Sequence, residues 1–228
     1  MTTNNVSLNA VGARYPTVGF PISGKGTSSL GQPPQPYETF SYDVALYDAK
    51  IADFNIVPYS SVLPKDLSMI DIDQAAPYFF HGAVLEVIYA MVGATYSEGT
   101  GKTNVRFRHH GYEKAIETTD AVKAAGACIG MELGVLDDQG NEVGGYVAEY
   151  VGIYPDNPGL ATAQGYANTA LNQSLDHILS LRGFKSSGKR HIVDMSYVDL
   201  DAGDNKNGTV ISGLGFLNFA NAPAYPQN

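Results

Sequence analysis

Ala127-Cys128-Ile129-Gly130-Met131-Glu132-Leu133-Gly134-Val135-Leu136, then Asp137-Asp138-Gln139-Gly140-Asn141, then Val143-Gly144-Gly145-Tyr146-Val147-Ala148-Glu149-Tyr150-Val151-Gly152-Ile153-Tyr154, is the stretch that decides the fold. The five residues from Asp137 to Asn141 are turn formers. Asp and Asn bond their own backbone, and Gly takes the left-handed conformations a tight turn needs. Apolar segments rich in β-branched and aromatic residues flank them, so the stretch predicts two strands folded back on each other. Antiparallel pairing in a chain that also carries helices predicts an α+β layered sandwich.

Downstream, Leu160, Ala163, Ala167, Leu171, Leu175 and Ile178 mark one face of a helix, with Pro158 before it and Gly183 after it. Residues 191–200 and 209–219 read as strands around a turn at 201–208, and the tail after Phe219 as irregular. Upstream, 113–125 reads as a helix, 96–102 as a turn-rich loop and 81–94 as a buried strand or pair of strands. Residues 55–63 read as a strand interrupted by Pro58 and stopped by Pro64. Phe40, Val44, Tyr47, Ile51 and Phe54 recur at helical spacing and predict a helix buried on that face. A short strand is expected at 15–22 and a loop at 24–36, ending in Pro33-Pro34-Gln35-Pro36.

With 228 residues the chain is long enough for one domain with a substantial core. A net charge of −9 argues against nucleic acid as a partner, since phosphate binding needs clustered Lys and Arg. Cys128 has no second cysteine to pair with and sits among apolar residues, so core packing is expected of it. Residues 1–10 lack the charged start and apolar run of a secretory signal, and no apolar stretch reaches the roughly 20 residues of a membrane span. A soluble cytoplasmic protein is expected.

Several motifs fail on spacing. Gly99-Thr100-Gly101-Lys102-Thr103 ends like a phosphate loop, but Tyr96 stands where that loop needs its first Gly. His109 and His110 are adjacent, which points them apart on a regular element. Asp199, Asp201 and Asp204 lack the Gly and terminal Glu of a calcium loop, and a hairpin turn fits them better. No metal is expected.

More informative is Asn55-Ile56-Val57-Pro58-Tyr59-Ser60-Ser61-Val62-Leu63-Pro64. Two serines sit in an apolar, β-prone segment between prolines, where buried hydroxyls would need partners. Two carboxyls share the same kind of setting. Glu149 alternates with Val147, Val151 and Ile153, and Glu86 with Val84 and Ile88. Apolar neighbours disfavour the charged carboxylate, so either could stay protonated near neutrality and serve as an acid. Physics alone leaves the choice open.

The serine segment, together with Pro33 to Phe40, Tyr42-Asp43, the block from His81 to Ile88, the block from Gly144 to Val151 and Gly213-Leu214-Gly215-Phe216-Leu217-Asn218-Phe219, resembles the bacterial branch of the pyruvoyl-dependent arginine decarboxylases. Residues 97–126 match none of these blocks and look like an insertion. The resemblance implies a single domain with an αββα sandwich of largely antiparallel sheets. It also implies self-cleavage between Ser60 and Ser61 into 1–60 (the β chain) and 61–228 (the α chain), which assemble as trimers of cleaved units. Ser61 would become a covalent pyruvoyl group, with no pyridoxal phosphate. Arginine would form a Schiff base with that group and leave as agmatine and carbon dioxide. The resemblance assigns Glu149 as the proton donor and leaves Glu86 a structural or supporting role. It assigns Asp43 to the substrate's side chain, Asn55 to a place beside the pyruvoyl group, and Leu46 and Phe54 to the pocket wall. A related pyruvoyl histidine decarboxylase stays open, because Asp43 could bind imidazole as well as guanidinium. So does an unprocessed homologue serving in binding or assembly.

Overall fold

The computed structural model describes residues 13–29, 40–97, 102–109, 112–118, 122–200 and 207–221. Two sheets lie face to face. The first has seven strands: β1 (Arg14–Ser28), β2 (Asn55–Pro58), β4 (Ser68–Met69), β5 (Val84–Ser97), β6 (Lys102–His109), β7 (Tyr112–Thr118) and β12 (Asn207–Asn221). Its order is β4-β1-β12-β5-β6-β7, with β2 also on β5. The second has five: β3 (Val62–Leu63), β8 (Ala124–Leu136), β9 (Glu142–Tyr154), β10 (Lys189–Ile192) and β11 (Ser196–Asp199). All pairings are antiparallel except β2 with β5 and β1 with β4.

Alternation along the strands sorts the core into layers. Ile88, Ala90 and Val92 of β5 with Val210, Leu214 and Phe216 of β12 meet Ala127, Ile129 and Met131 of β8 and Val147 of β9 between the sheets. On the outer side of the first sheet, Leu85, Val87, Tyr89 and Met91 pack under helix α1 (Phe40–Asp48) and the short helix α2 (Ile72–Ala75). On the outer side of the second, Cys128, Ala148 and Tyr154 pack under helix α3 (Leu160–Arg182). The result is the αββα sandwich, an α+β fold with largely antiparallel sheets.

The hairpin of β8 and β9 forms as its turn residues dictate. Asp137 Oδ1 accepts from the backbone N–H of Gln139 at 3.0 Å and of Asn141 at 2.7 Å, and Gly140 takes φ 88°. Helix α3 buries Ala163, Ala167, Leu171, Leu175 and Leu179, and Gly183 ends it in the left-handed conformation.

Five expectations change. Helix α1 stops at Asp48 and buries Ser41, Ala45 and Leu46, while Phe40 and Tyr47 are 49% and 79% exposed. Small residues face inward because α1 lies almost against the backbone of β1. A Cβ on Gly24 would come 2.2 Å from the Ala45 carbonyl oxygen, and one on Gly26 2.2 Å from that of Ser41. Bulky residues have no room on that face.

Residues 55–63 are two strands in different sheets. Residues 113–118 lie in strand β7 rather than a helix. Pairing with β6, and cross-strand ion pairs Arg108–Glu113 at 2.6 Å and Lys102–Glu117 at 2.5 Å, override the helix-forming composition of Glu113-Lys114-Ala115. Residues 191–200 hold two short strands on β8, whereas β12 lies in the other sheet, so the expected strands at 191–200 and 209–219 do not pair as a hairpin. The expected strand at 15–22 extends to Ser28 and pairs with β12 along its length.

Candidate active site

β2 adds to the first sheet beside β5, and β3 adds to the second beside β9. Tyr59, Ser60 and Ser61 make the passage between them. The Tyr59 N–H donates to the Val87 carbonyl of β5 at 2.6 Å, and the Val147 N–H of β9 donates to the Ser61 carbonyl at 2.9 Å. The Ser60–Ser61 peptide is therefore held from one sheet on its N-terminal side and from the other on its C-terminal side. Ser60 is exposed and Ser61 half-buried, so the serines sit in an accessible crossing and not in a buried strand.

Glu149 lies two residues beyond Val147 on the same face of β9, about 7 Å further along by the strand rise. It is 7% exposed, opposite Ile129, and turned toward the apolar layer between the sheets with Val147, Val151 and Ile153. The strand thus brings Ser61 and Glu149 to one region.

Glu86 faces the same layer from β5, but it is ion-paired with Arg14 of β1. Arg14 also lies 4.6 Å over the Phe219 ring. The Tyr59 hydroxyl lies beside the Glu86 carboxyl; burial first, then that carboxyl, push the phenol above its ordinary range. Sequence reasoning missed Tyr59 and Arg14. Tyr59 stood next to the serines, whereas Arg14 had no local signal, being 72 residues from its partner.

The remaining candidates lie elsewhere in the chain. Asp43 is exposed on α1, Leu46 is buried, and Phe54 is half-buried with its ring 4.9 Å from Phe79. Leu46 and Phe54 belong to the cluster on the outer side of the first sheet. Asn55 opens β2, where its side-chain amide donates to the Gly82 carbonyl at 2.9 Å. A single chain does not bring this group to Ser61.

A cavity of about 540 Å³ opens between α1, β5 and the β6–β7 hairpin, lined by Tyr42, Tyr89, Arg106, Arg108 and Glu113 among others. It contains none of the candidate residues, and Arg108 in it is already paired with Glu113 and stacked 5.5 Å over Tyr89.

Cys128 is buried, donates to the Val193 carbonyl at 3.0 Å, and has its thiol pushed up to about 11 by burial, as suits core packing. Among the described residues, no cluster of three or more His, Cys, Asp and Glu could hold a metal, and no helix is long and apolar enough to cross a membrane. Gly99 to Gly101, His110, Asp201, Asp204 and the stretch from Pro33 to Thr39 lie outside the described residues.

Comparison with known proteins bears on the family of the chain. The model of the family "pyruvoyl-dependent arginine decarboxylase" matches residues 19–112. The match runs through residue 112, so the first part of 97–126 falls within the family pattern. The pyruvoyl-dependent arginine decarboxylase AaxB of Chlamydia trachomatis serovar L2 is 42% identical over 219 residues, covering 95% of this chain and 98% of that protein. Proteins of the same name from Chlamydia muridarum and Chlamydia caviae are each 41% identical over 213 residues, covering 92% of this chain and 95% of theirs. With that identity sustained over nearly the whole length, the chain belongs to the pyruvoyl-dependent arginine decarboxylase family.

Proposed function

We propose that the chain cleaves itself between Ser60 and Ser61 and then decarboxylates arginine to agmatine and carbon dioxide. The observation that carries this reading is the crossing of Ser60-Ser61 between the sheets, with Glu149 on the neighbouring strand.

Ser61 Oγ adds to the Ser60 carbonyl carbon, and the peptide C–N bond breaks to leave an ester and a free amine on Ser61. Loss of the Ser61 α proton expels Ser60 as a carboxylate, which ends the β chain 1–60. The dehydroalanine left on residue 61 takes up water and releases ammonia, leaving the ketone at the head of the α chain 61–228. The residues present fit that group. The Val147 N–H fixes the carbonyl of residue 61, and the half-buried position leaves a side open to substrate. The pyruvoyl ketone supplies the carbonyl for Schiff-base formation with the substrate amine and the sink for the electrons released with carbon dioxide.

The protein's own residues do the rest. Glu149, on the apolar side of β9, returns a proton to the substrate's α carbon. Asp43 offers its carboxylate to the guanidinium, a charge-assisted contact. Leu46 and Phe54 wall the pocket, and Asn55 lies beside the ketone. In one chain the Asp43 group is on the outer side of the first sheet, away from Ser61. That separation supports a working pocket built between copies, in a trimer of cleaved units.

The test is intact-mass analysis of purified wild type and Ser61→Ala, with decarboxylation assayed on a panel including arginine and histidine. Wild type should give two fragments broken after residue 60 and should turn over arginine fastest, while Ser61→Ala stays whole. A full-length chain in active enzyme sinks the cleavage, and faster turnover of histidine moves the substrate to the related class.

A further inference from the structure

Resting on the self-cleavage reading, we infer that Arg14, Glu86 and Tyr59 form a positioning relay for that reaction. A backbone hydrogen bond holds each side of the scissile peptide, Tyr59 N–H to Val87 and Val147 N–H to Ser61. The two sides differ in what else holds them. Ser61 runs straight into β3, whose pairing with β9 fixes its direction. Tyr59 has left β2, which ends at Pro58 beside Val87. Past the Tyr59 N–H bond to Val87 the ladder no longer orients the chain.

The Tyr59 side chain takes over that task. Its ring lies 5.9 Å from Phe216 of β12, and its hydroxyl lies beside the Glu86 carboxyl of β5, whose buried Oε2 has no other hydrogen-bond partner among the described residues. Glu86 has little freedom. Its side chain is 10% exposed and ion-paired with Arg14, which is itself seated over Phe219. Three strands, β1, β5 and β12, thus converge on the residue next to the carbonyl that must receive Ser61 Oγ. Intramolecular attack is steep in geometry, and a misplacement of about 1 Å can cost about 10²-fold. A carboxylate turned into the apolar layer is costly unless paired. Arg14 supplies the pair, and the paired carboxylate can hold the tyrosine. None of the three side chains exchanges atoms with the reacting groups; they act through the backbone of Tyr59.

The experiment follows the appearance of the two fragments in freshly refolded Tyr59→Phe, Glu86→Leu and the double variant. The first keeps the ring and removes only the hydroxyl. Each single variant should cleave about 10-fold or more slowly than wild type, and the double variant no more slowly than the worse single, because links of one chain are not additive. The same substitutions placed in uncleavable Ser61→Ala should leave Tm within about 4 °C of Ser61→Ala alone, the scale of roughly 1 kcal/mol. Glu86→Asp, a shortened acceptor, should recover part of the rate lost in Glu86→Leu. Wild-type cleavage rates in Tyr59→Phe overturn the relay. So does slowing matched by a large Tm loss, and so do multiplicative effects in the double variant. Failure of wild type itself to cleave refutes self-processing instead, which keeps the two outcomes apart. Should Glu86→Leu not fold, Tyr59→Phe against wild type decides alone.

Discussion

A carboxyl on an apolar strand face is costly unless it has a task, and the two found here divide in their surroundings. Glu86 is ion-paired with Arg14, whereas Glu149 lies two positions from the strand residue that binds Ser61. Glu149→Gln preserves shape and removes the proton. Turnover of fully processed enzyme should fall by about 10²–10⁴-fold, the usual worth of a general acid; near-normal turnover would move the role to another group. Asp43→Asn should weaken arginine use by roughly two orders of magnitude or more, since breaking a buried charged pair costs about 3–5 kcal/mol. It should leave self-cleavage intact, and kcat/KM with fragment analysis reads both; wild-type kcat/KM for arginine would remove Asp43 from the pocket. At this scale the sequence spoke unevenly. Alternation placed Glu149 and Glu86 on the inner face from their neighbours alone. The tyrosine and arginine that complete the surroundings of Glu86 were illegible, because their partners come from strands far apart in sequence. The serines were misjudged as buried, since the change of sheet at Tyr59 leaves no mark in composition.

Elements were legible where local chemistry and tertiary pairing agree. The β8–β9 hairpin carries its own turn, and α3 its own stripe and glycine cap. They were misread where packing overrules the stripe. The Phe40 and Tyr47 face looked like the buried side of α1, yet Gly24 and Gly26 of β1 admit only Ser41 and Ala45. Gly26→Ala should therefore destabilise by about 3 kcal/mol, the upper end for overpacking, because the clash is with backbone. Gly165→Ala, in an open interior position of α3, should stabilise by about 0.5–1 kcal/mol. Denaturant unfolding in the uncleavable Ser61→Ala background measures both, and equal effects would refute the close packing of α1.

Between β8, β10 and α3, Glu132 is fully buried and takes bonds from Ser186, Ser187 and Arg190, with Arg190 also 2.8 Å from Asp176. Burial works against the charge, but the bonds from Ser186 and Arg190 and the Arg190 charge hold the carboxyl below its ordinary 4.5. A depressed carboxyl contributes stability that is present above its unfolded value and lost as pH falls through the folded one. Tm of Ser61→Ala should therefore drop below about pH 4.5, and the drop should be shallower with Glu132→Gln added. Parallel slopes would show that other groups govern the acid limb.

On the scale of the molecule, both the layers and the division of labour follow from chain order. Residues 1–60 supply β1, α1 and β2, and the remainder supplies their partners β12 and β5. The Asp43 group and Ser61 lie apart in one copy, so the proposed pocket between copies predicts complementation. Co-expressed Asp43→Asn and Glu149→Gln chains, each nearly inactive, should regain activity. A random mixture leaves about one site in four with both native residues if each site draws on two subunits. No recovery in mixed oligomers would place both residues in one copy's site.

The register of β1 against β12, from Arg14 opposite Asn221 to Ser28 opposite Asn207, joins the two ends of the sequence. While the chain is whole, that pairing is an intramolecular search whose rate ignores protein concentration. Once the proposed cut after Ser60 is made, the same register has to be found by two separate molecules. Renaturation then becomes second order, slow when dilute and open to wrong partners. Such a cut removes no native contact between β1 and β12, yet it would make the folded state one that is reached once and afterwards kept by its barrier to unfolding.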